Sequence, residues 1–248
     1  MVIMQLSREQ LTILLIQIRD DTDTRIEELA SFSHFCGVAV EQFRILNVFD
    51  TPDCSDYDLQ GIDAVLVGGS SEASVLDPES YSFVTAIQQL LLRCIEQQLP
   101  TFASCFGFQL AVLALGGKIV HQERDFEMGT LAISLSEYAQ EDVLFGSLPN
   151  PFMAVSVHRD SALSLPEGCV SLAFTKHCVH ALKVSSAPFW ASQFHPEVNR
   201  SILVQRLSQF REHYTQGDNH LQQVLTAAQE TPDSNGLLKA FIDKVVLA

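Results

Sequence analysis

Positive charge is scarce in this sequence. Its 248 residues carry 15 Lys and Arg against 30 Asp and Glu, a formal net charge of −15. A surface that acidic repels phosphate backbones and anionic lipid, so neither nucleic acid nor a membrane surface is an expected partner. Charge is thin altogether, at 18% of residues against roughly a quarter in an average soluble protein. No apolar run approaches the length of a bilayer span, so no transmembrane helix is expected. Arg8 and Glu9 precede the first apolar stretch, and no small-residue cleavage site follows it. The N-terminus therefore does not read as a signal peptide.

Other patterns are missing as well. Cys36, Cys54, Cys94, Cys105, Cys169 and Cys178 include no C-x-x-C pair. In a chain of this length they read as reduced thiols of a cytoplasmic protein, in preference to a disulfide framework. The histidines show no metal-ligand spacing, and no cofactor is expected. Lys118 follows Gly116 and Gly117, but the rest of a phosphate loop is absent. Asp20, Asp21 and Asp23 read as solvated acids at a helix start rather than a metal site. There are no internal repeats and no low-complexity stretch.

What is present is an ample apolar complement, 47% of residues, enough for a full core. LTILLIQI (11–18), FRILNVF (43–49), DAVLVGG (63–69) and TFASC (101–105) are short apolar runs that predict strands. Between them, Thr24 to Phe35 and Tyr81 to Gln97 show helical spacing, and Gly37 stops the first. Strand alternating with helix predicts an α/β fold, an open and mostly parallel sheet flanked by helices. From about residue 119 the runs KIVHQ, TLAISL, FMAVSV, VSLAF, HALKV and FWASQF predict a β-rich extension of the same domain. A helix is expected over 201–214 and a polar break over 216–219. A short C-terminal helical tail follows, expected as two amphipathic segments split at Thr231 to Gly236.

In sheets of this kind, ligands bind at the carboxyl ends of the strands. Two loops leave those ends with unusual chemistry: Gly68-Gly69-Ser70-Ser71 and Ala103-Ser104-Cys105-Phe106-Gly107. Cys105 stands between a strand and the helix expected over Gln109 to Leu115. A sharp turn there lifts its side chain towards solvent and needs small neighbours such as Ala103 and Gly107. The helix N-terminus favours thiolate, and the Phe106 amide points towards the same site as an oxyanion donor. The pentapeptide alone also fits a small buried hydrophobe beside a packing glycine.

A thiolate nucleophile needs a base, and the base needs an orienting group. Both stand in Gln193-Phe194-His195-Pro196-Glu197, after the strand-like FWASQF. Glu197 can turn back onto the His195 imidazole and fix its tautomer. Taken singly, His195 also fits a surface histidine, and Glu197 a helix-start acid.

Taken jointly, these segments resemble the class I glutamine amidotransferases, whose glutaminase domain carries G-x-C-x-G and H-P-E. The resemblance is nearest to stand-alone proteins similar to the glutaminase half of GMP synthase. It runs from about residue 11 to about residue 210, through VGGSSEASV, FASCFGFQLAVLALGG, EMGT, VHRDSALSLPEG and QFHPEV. It implies a flavodoxin-like fold of the amidotransferase type over residues 1–215, with 216–248 as the tail. It further implies Cys105 as nucleophile, His195 as general base and Glu197 as third triad member. Gly69 and Phe106 are implied as the oxyanion-hole amides, with Gly68, Gln109 and His158 near the substrate. Glu127 and Gly129 fall in a comparable segment, where a loop contact explains them equally. The remaining histidines, His121, His177, His180, His213 and His220, read as surface or satisfied core residues.

The implied activity is hydrolysis of the glutamine side-chain amide through a cysteine thioester, with ammonia passed to a separate acceptor enzyme. Two alternatives stay open: a γ-glutamyl hydrolase or peptidase, and a catalytically weak regulatory subunit that keeps the fold. The oligomeric state is left open, a homo-oligomer included. Three positions depart from the family pattern: Ala103 for the first elbow glycine, Phe108 after the elbow, and Ser70 after the glycine pair. If Phe108 filled the pocket, or Cys105 lay out of reach of His195, catalysis would have to be abandoned. Loss of the tail is expected to lower solubility or assembly while sparing the triad.

Overall fold

The computed structural model describes residues 6–121, 127–209 and 218–248. Its first half alternates as expected: β1 (Ile13–Gln17), α1 (Thr22–Cys36), β2 (Phe43–Asn47), β3 (Ala64–Val67), α2 (Phe83–Glu96), β4 (Thr101–Ser104) and α3 (Phe106–Ala114). The second half holds β5 (Val120–His121), β6 (Glu127–Leu135), β7 (Phe152–His158), β8 (Asp160–Ser161), β9 (Cys169–Phe174), β10 (Val179–Val184) and β11 (Phe189–Ser192). Helices α4 (Arg200–Gln209), α5 (Asp218–Ala227) and α6 (Pro232–Phe241) follow.

Among the described residues, nine strands form one sheet in the order β2-β1-β3-β4-β11-β10-β9-β6-β7. The first five are parallel neighbours, and the pairs from β11 through β7 are antiparallel. The β-rich segment is thus an extension of the parallel sheet, joined through β11, and β5 pairs with β8 apart from it.

A strand covered on both faces needs apolar residues at every position, which is why β1 carries an unbroken run. The alternation reappears only in three dimensions. Leu14 and Ile16 pack with α2 and α3, while Ile13 and Leu15 pack on the opposite face with Phe32 of α1 and Leu237, Leu238 and Phe241 of α6. A third, smaller cluster joins Leu203 and Leu207 of α4 and Leu221 and Val224 of α5 to Met128 and Val155 of the sheet extension.

Helix ends follow the local chemistry. Asp21 caps α1, its carboxylate accepting from the Thr24 amide at 2.8 Å, which is the helix-start role expected of that acidic cluster. Gly37 ends α1 in the left-handed region at φ 65°. The tail differs from expectation. Pro232 is the first residue of α6, so 231–236 opens a helix rather than separating two. Proline's missing N–H is one of the unsatisfied donors of a first turn anyway, and its fixed φ suits the helix. Of the helix expected over 201–214, Arg200–Gln209 is seen. Its remainder, including His213, and residues 216–217 lie outside the described residues, as does the side chain of His220.

No helix among the described residues is long and apolar enough to cross a membrane.

Candidate active site

The elbow is real backbone strain. Cys105 sits at φ 51°, ψ −100°, one of two described non-glycine residues with positive φ. Such a conformation persists only where its surroundings over-determine it. They do: the Cys105 amide donates to the Ser192 carbonyl at 2.7 Å, tying the turn to β11. Gly107 is required by crowding, since a Cβ there would lie 2.9 Å from Cβ of Val67 and 3.1 Å from Cβ of Ala103. Ala103 is accommodated because Gly107 leaves room for its methyl group. Phe108 is fully buried in the core beside α2 and turns away from the pocket. That removes the steric objection raised by its bulk.

His195 follows β11 and is held by its own amide, which donates to the Val155 carbonyl at 2.8 Å. Its ring hydrogen-bonds to Cys105 on one side. On the other, Nδ1 meets Oε1 of Glu197 at 2.6 Å. Burial alone would lower the imidazole. The charges of Cys105 and Glu197, with their hydrogen bonds, outweigh it and push the ring up to about 10. Burial would likewise raise Glu197, but the neighbouring His195 charge holds its carboxyl below the ordinary range.

For a base with a raised folded value, the stabilisation is fully present below its ordinary 6.5 and is lost as pH rises through about 10. Replacing Cys105 by Ala removes one of the two charges that raise the ring. The expected result is a lower His195 titration midpoint in the Cys105→Ala variant, followed by NMR of the imidazole. An unchanged midpoint would mean that Cys105 does not face His195.

Gly69 passes between nucleophile and base: a Cβ there would lie 2.9 Å from Cε1 of His195 and 3.6 Å from Cβ of Cys105. Among the described residues, neither its amide nor that of Phe106 is drawn into another hydrogen bond. Both donors are left for a ligand. Gly68 differs, because its amide donates to the Ile16 carbonyl at 3.0 Å and is committed to the sheet. Its role is to lie over Glu28, which is fully buried and paired with Arg19 at 2.9 Å. Arg19 also donates to Ser71 Oγ at 2.9 Å, so a buried ion pair underpins the glycine loop. Ser70, in the place of a proline, caps this loop, its Oγ accepting from the Ala73 amide at 3.0 Å.

Cys105 opens onto a cavity of about 320 Å³. Phe106, Gln109, His158, Ser70 and Ser71 line it, together with Asp160. Gln109 donates through Nε2 to the Asp160 carbonyl at 2.8 Å. His158 reaches the wall but turns its Nε2 to Oε2 of Glu127 at 3.0 Å. The sequence-predicted residues Cys105, His195, Glu197, Gly69, Phe106, Gln109 and His158 therefore come together around one cavity, with Gly68 beneath it.

Three contributors were not foreseen. His121 lines the mouth and pairs through Nδ1 with Oδ1 of Asp160 at 2.7 Å. The Ser31 hydroxyl of α1 donates to the Glu197 carbonyl. Asn235 of α6 donates through Nδ2 to the carbonyls of Pro196 at 2.8 Å and Val198 at 3.0 Å, gripping the chain on both sides of Glu197. No local pattern marks an Asn on a tail helix as a partner of a loop 37 to 39 residues earlier. The expectation that the tail can go without touching the triad does not fit this contact. Asn235→Ala leaves two buried carbonyls unpaired, a cost of roughly 1–3 kcal/mol each. A lower kcat with little change in KM is expected, alongside lost stability by denaturant titration. Loss of stability with kcat intact would make Asn235 structural only.

Comparison with known proteins supplies a family. Residues 33–209 match the family model described as glutamine amidotransferase class-I. The GMP synthase [glutamine-hydrolyzing] of Borreliella burgdorferi is 31% identical over 140 residues, covering 56% of this chain and 25% of that protein. The chain thus matches about a quarter of the length of that relative. Gamma-glutamyl peptidase 4 of Arabidopsis thaliana is 25% identical over 174 residues, covering 69% of this chain and 68% of that protein. Among solved structures, a glutamine amidotransferase from Thermotoga maritima superposes with a TM-score of 0.78 at 16% identity, covering 96% of this chain and 99% of that one. At that identity the likeness is one of fold.

Proposed function

The chain belongs to the class-I glutamine amidotransferases, and from that premise we propose that it hydrolyses the side-chain amide of glutamine through a thioester on Cys105. The observation that carries this reading is the strained Cys105, hydrogen-bonded to an imidazole that Glu197 holds at 2.6 Å, at the floor of a closed cavity.

The chemistry follows from the geometry. Cys105 Sγ attacks the amide carbon of glutamine, and the carbonyl oxygen becomes an oxyanion facing the amides of Gly69 and Phe106. His195 gives its proton to the departing nitrogen, which leaves as ammonia, and a glutamyl thioester remains. Water then enters, His195 takes its proton, and the new oxyanion expels the thiolate with release of glutamate. Glu197 stays ionised throughout, orienting the ring and balancing its charge. Gln109 and His158 shape the wall against which the amino-acid end of the substrate lies. The ammonia passes to a separate acceptor enzyme, a reading supported by the name and greater length of the GMP synthase relative.

A second reading has one observation in its favour, the likeness to gamma-glutamyl peptidase 4 along two thirds of both chains. In that reading the same triad opens a γ-glutamyl peptide bond and water is the sole acceptor. One experiment separates the two. The purified protein is incubated with glutamine and with γ-glutamyl dipeptides, and glutamate and ammonia are measured. Release from glutamine supports the first reading. Release from dipeptides alone moves the assignment to the second.

A further inference from the structure

Four metal-ligating side chains meet behind the wall of the active-site cavity. Glu127 opens β6, His158 ends β7, and Cys178 and His180 stand on the β9–β10 hairpin. All four are buried, and one donor atom from each lies within 4.8 Å of all the others. Oε2 of Glu127 is the hub. It meets Nε2 of His180 at 2.7 Å, Nε2 of His158 at 3.0 Å and Sγ of Cys178 at 3.4 Å.

The sheet explains the convergence. Glu127 faces His158 directly in the β6–β7 ladder. The β9–β10 ladder shifts register on both sides of Ala181, next to His180. A register shift of that kind re-aims a side chain.

The donor set is selective. Two imidazoles, a thiol and a carboxylate form the nitrogen, sulfur and oxygen mixture of tetrahedral zinc-class sites. Magnesium and calcium prefer oxygen donors throughout. An ion about 2.0–2.3 Å from each donor would set them roughly 3.3–3.8 Å apart, so the hub contacts need to open by only a few tenths of an ångström. A carboxylate and a thiolate together neutralise a divalent ion, which leaves the buried group without net charge. Nδ1 of His158 and of His180 has no hydrogen-bond partner among the described residues. Nothing therefore pins either tautomer, and each Nε2 is free to present its lone pair.

We propose that Glu127, His158, Cys178 and His180 bind one divalent transition-metal ion of the zinc class. Four protein donors complete a tetrahedron and leave no position for water, so the site is structural. On binding, Cys178 loses its thiol proton to solvent, and the sulfur becomes a ligand. The ion clamps β6, β7 and the β9–β10 hairpin together. Through His158 it also stiffens the cavity wall. The site stands independently of the chemistry assigned to Cys105.

The test uses the full-length protein, reduced, stripped with a chelator and titrated anaerobically with cobalt(II). One ion per chain is expected, with the visible bands of tetrahedral cobalt and a near-ultraviolet thiolate-to-cobalt transition. Zinc should displace the cobalt and raise the melting temperature. Both signals should persist in Cys105→Ala and vanish in Cys178→Ser and in His180→Gln. Circular dichroism of the metal-free variants shows whether each is folded, and either folded variant suffices. Folded wild-type protein that takes up no stoichiometric metal would overturn the proposal, leaving a carboxylate satisfied by three hydrogen bonds. So would a cobalt spectrum that survives Cys178→Ser or is lost in Cys105→Ala.

Discussion

Cys105→Ala is expected to abolish release of glutamate and ammonia, with kcat falling by on the order of 10⁴-fold or more, as nucleophile losses do in comparable triads. The reason lies in the site's construction. The nucleophile is the one atom that forms the covalent intermediate, and no second thiol is placed to replace it. Cys36, Cys54 and Cys94 are buried in the core, and burial pushes the thiols of Cys54 and Cys94 up to about 11 and about 12. The variant should fold, because alanine fills nearly the same space. It keeps the elbow strain, so its stability should change by no more than about 1 kcal/mol. Activity is read from glutamate release under saturating glutamine, and fold from circular dichroism. Full activity in a folded Cys105→Ala protein would remove the thioester mechanism together with both substrate readings.

Phe241→Ala is expected to destabilise the protein by about 3–5 kcal/mol, the range for deletion of a buried aromatic ring. The ring is fully buried against the sheet face that also carries α1. It stands edge-on to Phe102 of β4 at 5.8 Å and to Trp190 of β11 at 6.3 Å between centroids. Those two strands bear the nucleophile and lead to the base, so the cavity left by the mutation opens directly beneath the site. Against a typical total of 5–15 kcal/mol, the loss is a large fraction. Denaturant titration should show the midpoint fall with little change in slope. A change under about 1 kcal/mol would mean that the tail packs loosely and is an appendage after all.

Much of the site is legible from the sequence because its chemistry is local. A nucleophile elbow compresses strand, cysteine and glycine into five residues, and His-Pro-Glu places base and orienter two residues apart. Local backbone geometry then fixes the contacts, as the 2.6 Å bond from His195 to Glu197 shows. The parallel half of the sheet is legible for a similar reason. Strands buried on both faces carry continuous apolar runs, and their ends coincide with glycine and charge.

Contacts made across the fold leave no such trace. Asn235 grips the segment around Glu197 from a tail helix, and its sequence surroundings look like an ordinary polar turn. The turn residues from Thr231 to Gly236 start a helix because Pro232 tolerates a first-turn position, a choice that packing of Leu237, Leu238 and Phe241 settles. Phe108 reads equally well as a pocket plug or a core residue until the helix that carries it is docked on α2.

The sequence by itself determined the reaction-bearing residues Cys105, His195 and Glu197, the strand-to-helix turn that presents the first of them, and an acidic chain with little affinity for phosphate or lipid surfaces. Each follows from residues near one another along the chain, where covalent geometry limits the choices. The tertiary structure alone decided that Arg19 and Glu28 underpin the glycine loop, that the tail completes the core beneath the triad, and that Glu127, His158, Cys178 and His180 share one buried point. These residues come from different strands and helices. Their meeting depends on sheet order and register, which long-range packing sets and no local spacing records.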